Sequence, residues 1–423
     1  MRPEARGRRS GWGGRSASAG LGIGLAALVL AGCACEKPEA RRPLGRTVAP
    51  EIPAIRVKLG ADASGVTLAV DGPYRLMRGE EAIASGDRLP WTTLALRDGQ
   101  VLVGPKSLGP PPLELRSGDD GKIAVRFPPD GKPADRTYRG VLRLVATADG
   151  KMQMINVLPM DAYLAGVLAN ELYGRWHVEA YKAQAVAART YALAERNRRS
   201  SRDFDVYDSQ QSQVYGGKDS ETSKTWEAVE ATRGVVATFR DSAGRVRLLP
   251  TYYHSTCGGA TCPSGVVFGG ETPAPLAGVR CPYCLHSPKF RWSGVVLTKK
   301  EVGEALRASG VPALARLRDV VRVQVAETTS GGRATRIRVT DSAGTALLVD
   351  ANFWRRAMGS LRVPSTWFAV RDDGDRIIVE DGHGFGHGVG LCQWGAEYLA
   401  SHGLTGEQIV RFYYPGAVLT RAY

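Results

Sequence analysis

Long apolar runs are almost absent from this 423-residue chain: only Leu21 to Ala31 is continuous, about half of the roughly 20 residues needed to cross a bilayer. Cysteine is scarce as well, and seven are too few for a disulfide scaffold. No internal repeat occurs, and nothing in the composition is collagenous, coiled-coil or wholly disordered. Acidic residues fall short of basic ones, 42 against 56, leaving a formal charge of +14. Past the amino terminus, however, there is no Lys/Arg run and no nucleic-acid motif, so nucleic acid is set aside as a partner. What is present is enough apolar sequence for a sizeable core (43%), together with 51 glycines and 24 prolines. That points to turn-rich, mixed or mainly β architecture, in two or three domains by length.

Arg2, Arg6, Arg8, Arg9 and Arg15 precede the Leu21–Ala31 run, and Leu30-Ala31-Gly32-Cys33 closes it. This is the three-part layout of a secretory signal. A short core helix is the alternative, but it would leave the arginines hard to place. The tetrapeptide resembles a bacterial lipobox, which implies cleavage before Cys33 and lipidation of its thiol. Residues 1–32 carry five Arg and one Glu, so the remaining 391 residues carry +10. The expectation is an exported protein, lipid-anchored in the cell envelope. In a two-membrane cell, Ala34 after Cys33 points to the outer membrane, facing the periplasm. Residues 33–54, with Pro38, Pro43, Pro50 and Pro53, form a Pro-rich tether without hydrophobic periodicity.

From 55 to 157 apolar and polar residues alternate, as in Ile55, Val57, Leu59 and in Val66, Leu68, Val70, with turn signals such as Asp71-Gly72 and Asp149-Gly150. The pattern predicts short antiparallel strands. At Leu158-Pro159 the period changes. Leu164, Val167 and Leu168 predict a helix over 160–171, and Tyr181, Ala185, Ala188 and Ala192 mark the small-residue face of a second over 178–198. Thr298-Lys299-Lys300-Glu301 is a capping box opening a helix to Ser309. Segments 320–325 and 333–340 flank Ser330-Gly331-Gly332 as a hairpin, and Leu391 to Ser401 is a further helix. The fold class is therefore α+β, a β-rich amino-terminal part (55–157) joined to a mixed helix and strand core (158–423).

Glu171 lies seven residues after Leu164, on the apolar face and at the carboxyl end of its helix. Desolvation and the negative helix end both favour its protonated form, as a general acid requires. The alternative is a Glu rotated to solvent or paired with Arg175 or Arg189. His383 and His387 stand in a loop with glycine at every second position, Gly382 to Gly390, which fits neither a dinucleotide fingerprint nor a helical zinc pair. It either brings backbone and imidazoles to a ligand beside Gln393 and Trp394 or is a tight structural loop. Cys257, Cys262, Cys281 and Cys284, flanked by His254 and His286, suit a structural zinc site or two disulfides, with a redox Cys281-Pro-Tyr-Cys284 pair the weakest reading. Cys392 is left as a buried single thiol, and Cys35 is unassigned. The polar run Asp208 to Tyr215 is either a sugar-facing surface or a solvated loop.

Tyr138-Arg139-Gly140, Asn156 to Val167, Glu179 to Tyr191, Gln213 to Gly217, Tyr253 to Gly259, Gly384 to Ala396 and Tyr413-Tyr-Pro-Gly416 together, in this order, resemble the sporulation stage II protein D (SpoIID/LytB) domain. The resemblance implies a peptidoglycan lytic transglycosylase with Glu171 as its acid and then base, needing no cofactor for the chemistry. It would cleave between N-acetylmuramic acid and N-acetylglucosamine, leaving 1,6-anhydromuramic ends. The family also contains enhancers of a cell-wall amidase, which makes a non-catalytic or glycan-binding protein the alternative. Gln213, Tyr215, His254, His387, Gln393 and Trp394 are the expected substrate-contacting or Glu171-tuning residues. Two departures stand out. Glu171-Leu172-Tyr173 replaces the family's usual Glu-Met-Pro or Glu-Ile-Pro, and residues 203–215 lack the Cys and His with which some members bind zinc.

Overall fold

The computed structural model describes residues 51–118, 121–127 and 135–423. The expected signal segment, Cys33 and nearly all of the tether lie outside them. Residues 54–159 form two antiparallel sheets whose inward residues share one core, an α+β arrangement once the helices are added. In the first, Ala54–Ala63 pairs with Met152–Pro159, followed by Val141–Ala146, Leu113–Ser117, Tyr74–Arg78 and Glu81–Gly86, and Val206–Tyr207 joins the free side of Ala54–Ala63 in parallel. The second is built around Gly65–Asp71 and Leu89–Arg97. Ile55, Val57 and Leu59 alternate inward as their spacing predicts. Met152–Pro159 does not alternate, since five consecutive residues from Met152 are buried. Met152, Met154 and Leu158 belong to the shared core, while Ile155 on the opposite face is paired with Lys58 and Arg143 of the flanking strands, whose long side chains cover it, so burial on both faces removes the period of two.

The helix Met160–Glu171 follows directly, and its first nine residues are all buried. Leu164, Val167 and Leu168 do face the sheet core, but the other sides are covered too, so the helix lacks a polar face. Gly166 allows that enclosure. A Cβ there would stand 2.6 Å from the Tyr215 ring and 2.8 Å from the Gly217 carbonyl oxygen. Gly166→Ala is expected to cost about 1–3 kcal/mol by overpacking, read as a lower urea midpoint with an unchanged slope.

The 21-residue helix Val178–Arg198 is the spine of the molecule. Tyr181, Ala185, Ala188 and Ala192 pack into the sheet core, while Ala180, Ala183, Val186 and Ala187 pack into a second core with Leu391, Ala396, Ile409, Tyr413 and Tyr414. Small side chains on both faces let two cores approach one helix closely. A third core, around Trp354, Ile337 and Val379, belongs to residues 295–379. It contains the hairpin Val320–Thr328/Ala334–Asp341 and the helix Lys299–Arg307, capped by Thr298 and Glu301 as the sequence indicates. The last expected helix begins two residues later than its apolar pattern suggests. Leu391 and Cys392 pair in parallel with Tyr253 and His254, and the helix runs over Gln393–Ser401. Among the described residues no helix is long and apolar enough to cross a membrane.

Candidate active site

Glu171 ends its helix because Leu172 turns extended (φ −125°, ψ 149°) while its N–H still bonds the Leu168 carbonyl at 3.0 Å. Segments remote in sequence then converge on the carboxyl. Val214 N–H donates to Oε1 at 3.1 Å and Gln393 Nε2 to Oε2 at 3.3 Å. The Tyr253 hydroxyl, held by Gln213, also favours the charged form of the carboxyl. Gln213 ties these groups together: its Nε2 donates to the Tyr253 hydroxyl and its Oε1 accepts from the Tyr163 hydroxyl, both at 3.0 Å. The two arginines considered as partners are engaged elsewhere, Arg189 with Asp161 and Arg175 over the Tyr173 ring.

Burial pushes the Glu171 carboxyl above its ordinary range, and the Val214, Gln393 and Tyr253 donors oppose that without reversing it. The acid is thus favoured by desolvation, while the conjugate carboxylate, once formed, meets donors already in place. The residue as a whole keeps partial solvent contact, although its carboxyl is strongly desolvated. Beside it Tyr173, Trp176 and Trp394 meet edge to face with centroids 5.2 to 5.9 Å apart. Tyr173 is 52% exposed, so the departure from the family's usual proline puts an aromatic rim at the site. Trp394 also lines an open cleft of about 330 Å³ with Tyr283, His286, Glu397 and Tyr398. There the Glu397 carboxyl accepts from His177 N–H at 2.8 Å and is raised by burial. Flat aromatic faces beside fixed polar groups suit a sugar ring, whose faces are apolar and whose rim is hydroxylated.

Of the six expected substrate-contacting residues, Gln213 and Gln393 are brought into the hydrogen-bond network of Glu171, and Trp394, next after Gln393, lines the cleft. Tyr215 is not at the surface. It is 1% exposed, packs on Tyr163 and Tyr138, and donates to Asn156 Oδ1 at 3.0 Å. His254 and His387 pack against each other, centroids 5.4 Å apart, both held neutral by burial. Their Nδ1 atoms bond Val389 backbone groups rather than Glu171. The glycines between and beyond them, Gly384, Gly386, Gly388 and Gly390, have φ between 70° and 109°. A Cβ on Gly386 would meet the His254 Cβ at 2.7 Å, so the loop's close approach is to its own protein.

Tyr253, Tyr163 and the Val214 N–H were not singled out in the sequence. Strand alternation held a signal for the first: in Tyr253–His254 neighbouring side chains point to opposite faces, so only one can reach Glu171. The cysteine set also differs from the expected one. Cys257, Cys281, Cys284 and Cys392 place their sulfurs within 4.8 Å of one another. Cys262 stands apart, its Sγ against the His387 carbonyl at 3.8 Å. Spacing favoured Cys262 because it is near in sequence; strand pairing instead brings in Cys392, 130 positions later. His286 stacks on Tyr398 in the cleft.

A SpoIID family model, described as Stage II sporulation protein, matches residues 148–239, which hold Glu171, Gln213 and Val214. An uncharacterized protein of Brachyspira hyodysenteriae (strain ATCC 49526 / WA1) is 31% identical over 367 residues, 86% of this chain and 91% of that protein. The chain belongs to the SpoIID family. Stage II sporulation protein D of Bacillus subtilis (strain 168) is 28% identical to this SpoIID chain over 327 residues, 72% of the chain and 87% of that protein. The amidase enhancer of the same organism is 29% identical over 300 residues, 61% of the chain, which spans only 40% of the enhancer's length. SpoIID membership and these relatives support a cell-wall-related function. Residues 285–390, which contain the third core, match a separate domain of unknown function (DUF8618).

Proposed function

We propose that this chain is a peptidoglycan lytic transglycosylase with Glu171 as its general acid and base. The observation that carries the reading is a single carboxyl raised by burial yet served by three donors, because one group must give a proton and take one back. Protonated Glu171 gives its proton to the glycosidic oxygen as the bond to C1 of N-acetylmuramic acid breaks and oxocarbenium character develops. The C6 hydroxyl oxygen of the same sugar then bonds C1, and its proton passes to the Glu171 carboxylate. Atoms balance without water, a 1,6-anhydro ring results, and a second carboxylate is not needed. Tyr173 and Trp394 offer the glycan its stacking faces. Export, with lipid on Cys33, belongs to the same proposal and rests on the amino-terminal sequence.

Incubation with denuded and with peptide-bearing glycan strands, followed by mass analysis, should give anhydromuramic ends from at least one of them. Reducing ends alone would mean hydrolysis and would sink the reading. Similarity to an amidase enhancer supports a second reading, stimulation of a cell-wall amidase, which predicts faster amidase turnover with no new glycan ends. Tyr253→Phe separates positioning from structure. Loss of one hydrogen bond to a charged group, about 1.5–3 kcal/mol, should lower kcat about tenfold or more. Since Tyr253 lowers the Glu171 pKa, its removal should also move the alkaline limb of the rate profile to higher pH. An unchanged pH profile would place Tyr253 outside the relay.

A further inference from the structure

The four converging cysteines are buried and none is in a disulfide. They come from three segments: Cys257 after the strand Tyr253–His254, Cys281 and Cys284 bracketing a single turn at Pro282, and Cys392 capping the amino end of the Gln393–Ser401 helix. Cys257 and Cys284 Sγ are 3.4 Å apart, far beyond a bonded pair, and all four sulfurs fit within one 4.8 Å group. A tetrahedral zinc with bonds of about 2.3 Å would set its sulfurs about 3.8 Å apart, which lies between those two distances.

The surroundings suit thiolates. Cys257 N–H points at Cys392 Sγ at 3.2 Å, Gly259 N–H at Cys257 Sγ at 3.5 Å, and the Tyr413 hydroxyl at Cys281 Sγ at 3.2 Å. Arg333 is 3% exposed and its guanidinium bonds the Cys257 carbonyl, yet its Nε and Nη1 have no hydrogen-bond partner. A zinc ion with four thiolates carries a net charge of −2. That negative centre would compensate a buried cation for which no carboxylate is recorded among the described residues.

We propose that Cys257, Cys281, Cys284 and Cys392 bind one structural zinc ion, and that this ion fixes the two segments that carry Tyr253 and Gln393 to Glu171. Binding exchanges four thiol protons for one Zn²⁺, with no redox step. Tyr253 lies four residues before one ligand and Gln393 one residue after another, so the centre is a positioning element for the carboxyl's donors. This second part rests on the proposed function; the zinc site itself does not.

Metal analysis of the full chain prepared with zinc should find one zinc per molecule. Cobalt substitution should give the visible bands of a tetrahedral tetrathiolate. A mercurial thiol reagent should release that zinc as four thiols react. Cys392→Ser should weaken zinc at least about 100-fold, since even partners outside the ligand shell cost 10–100-fold, whereas Cys262→Ser should retain full stoichiometry. Should Cys392→Ser fail to fold, cobalt spectra and thiol release on the wild-type chain decide the case, with Cys262→Ser as the control. Two disulfides by mass analysis, iron in place of zinc, no bound metal, or loss of zinc in Cys262→Ser would each overturn the assignment. Zinc found without any glycan cleavage would leave the site standing and remove only its link to Glu171.

Discussion

Glu171→Gln should lower the formation of anhydromuramic ends by about 10²–10⁴-fold, the usual range for a general acid or base, and toward the upper end because one carboxyl serves both steps. Glutamine keeps the volume. Its carbonyl can still accept from Val214 N–H, and only the Gln393 amide must rotate to face the new NH₂. The fold should therefore survive. A raised carboxyl binds its proton more tightly in the folded state, so its stabilising contribution is complete below the unfolded carboxylate range and is lost as pH rises through the folded pKa. The variant cannot ionise, so relative to wild type it should gain thermal stability above that pH and show no such gain below it. Wild-type activity should fall over the same rise in pH, as the acid is lost. A variant that keeps the wild-type rate would rule out Glu171 as the acid; a flat stability difference across pH would rule out its raised pKa.

Asp161→Ala should be the most destabilising of the substitutions considered, by about 3–5 kcal/mol, the range for removing one partner of a buried ion pair. Asp161 lies in the first turn of the Glu171 helix, 3% exposed. It accepts from the Tyr423 hydroxyl at 2.7 Å and pairs with Arg233 at 3.2 Å and Arg189 at 3.5 Å. Arg189, fully buried on the central helix, also bonds the Val229 and Val235 carbonyls. Removing Asp161 strands that cation in the core and unties the last residue of the chain from the helix that carries the site. Urea unfolding should show the loss. Glu407→Ala supplies the contrast, since its i,i+4 pair with Arg411 is about half exposed and should cost under about 1 kcal/mol. Equal losses would mean that Asp161 acts only through local helix propensity.

The elements were legible where a single period dominated. The helices at 160–171 and 178–198 and the capped helix at 298 follow from local spacing and caps, as does the hairpin around Gly331. Legibility ended where a residue's environment came from more than one side. Met152–Pro159 loses its alternation because long side chains of the flanking strands cover its outer face, and Leu391–Cys392 leaves a helical pattern to pair with a remote strand. Tyr215, read among polar neighbours, is core because Gly166 opens a socket for its ring.

What the sequence determined by itself was the family, the α+β class and the placing of Glu171 at a helix end, because motif order and the 3.6 and 2.0 periods are local properties of the chain. The tertiary structure alone decided which groups face that carboxyl and which four cysteines meet. Val214, Tyr253 and Gln393 lie 43, 82 and 222 positions from Glu171, and Cys392 lies 135 from Cys257. Contacts at such separations are set by strand pairing and by packing around the Val178–Arg198 helix, for which no local period carries a record.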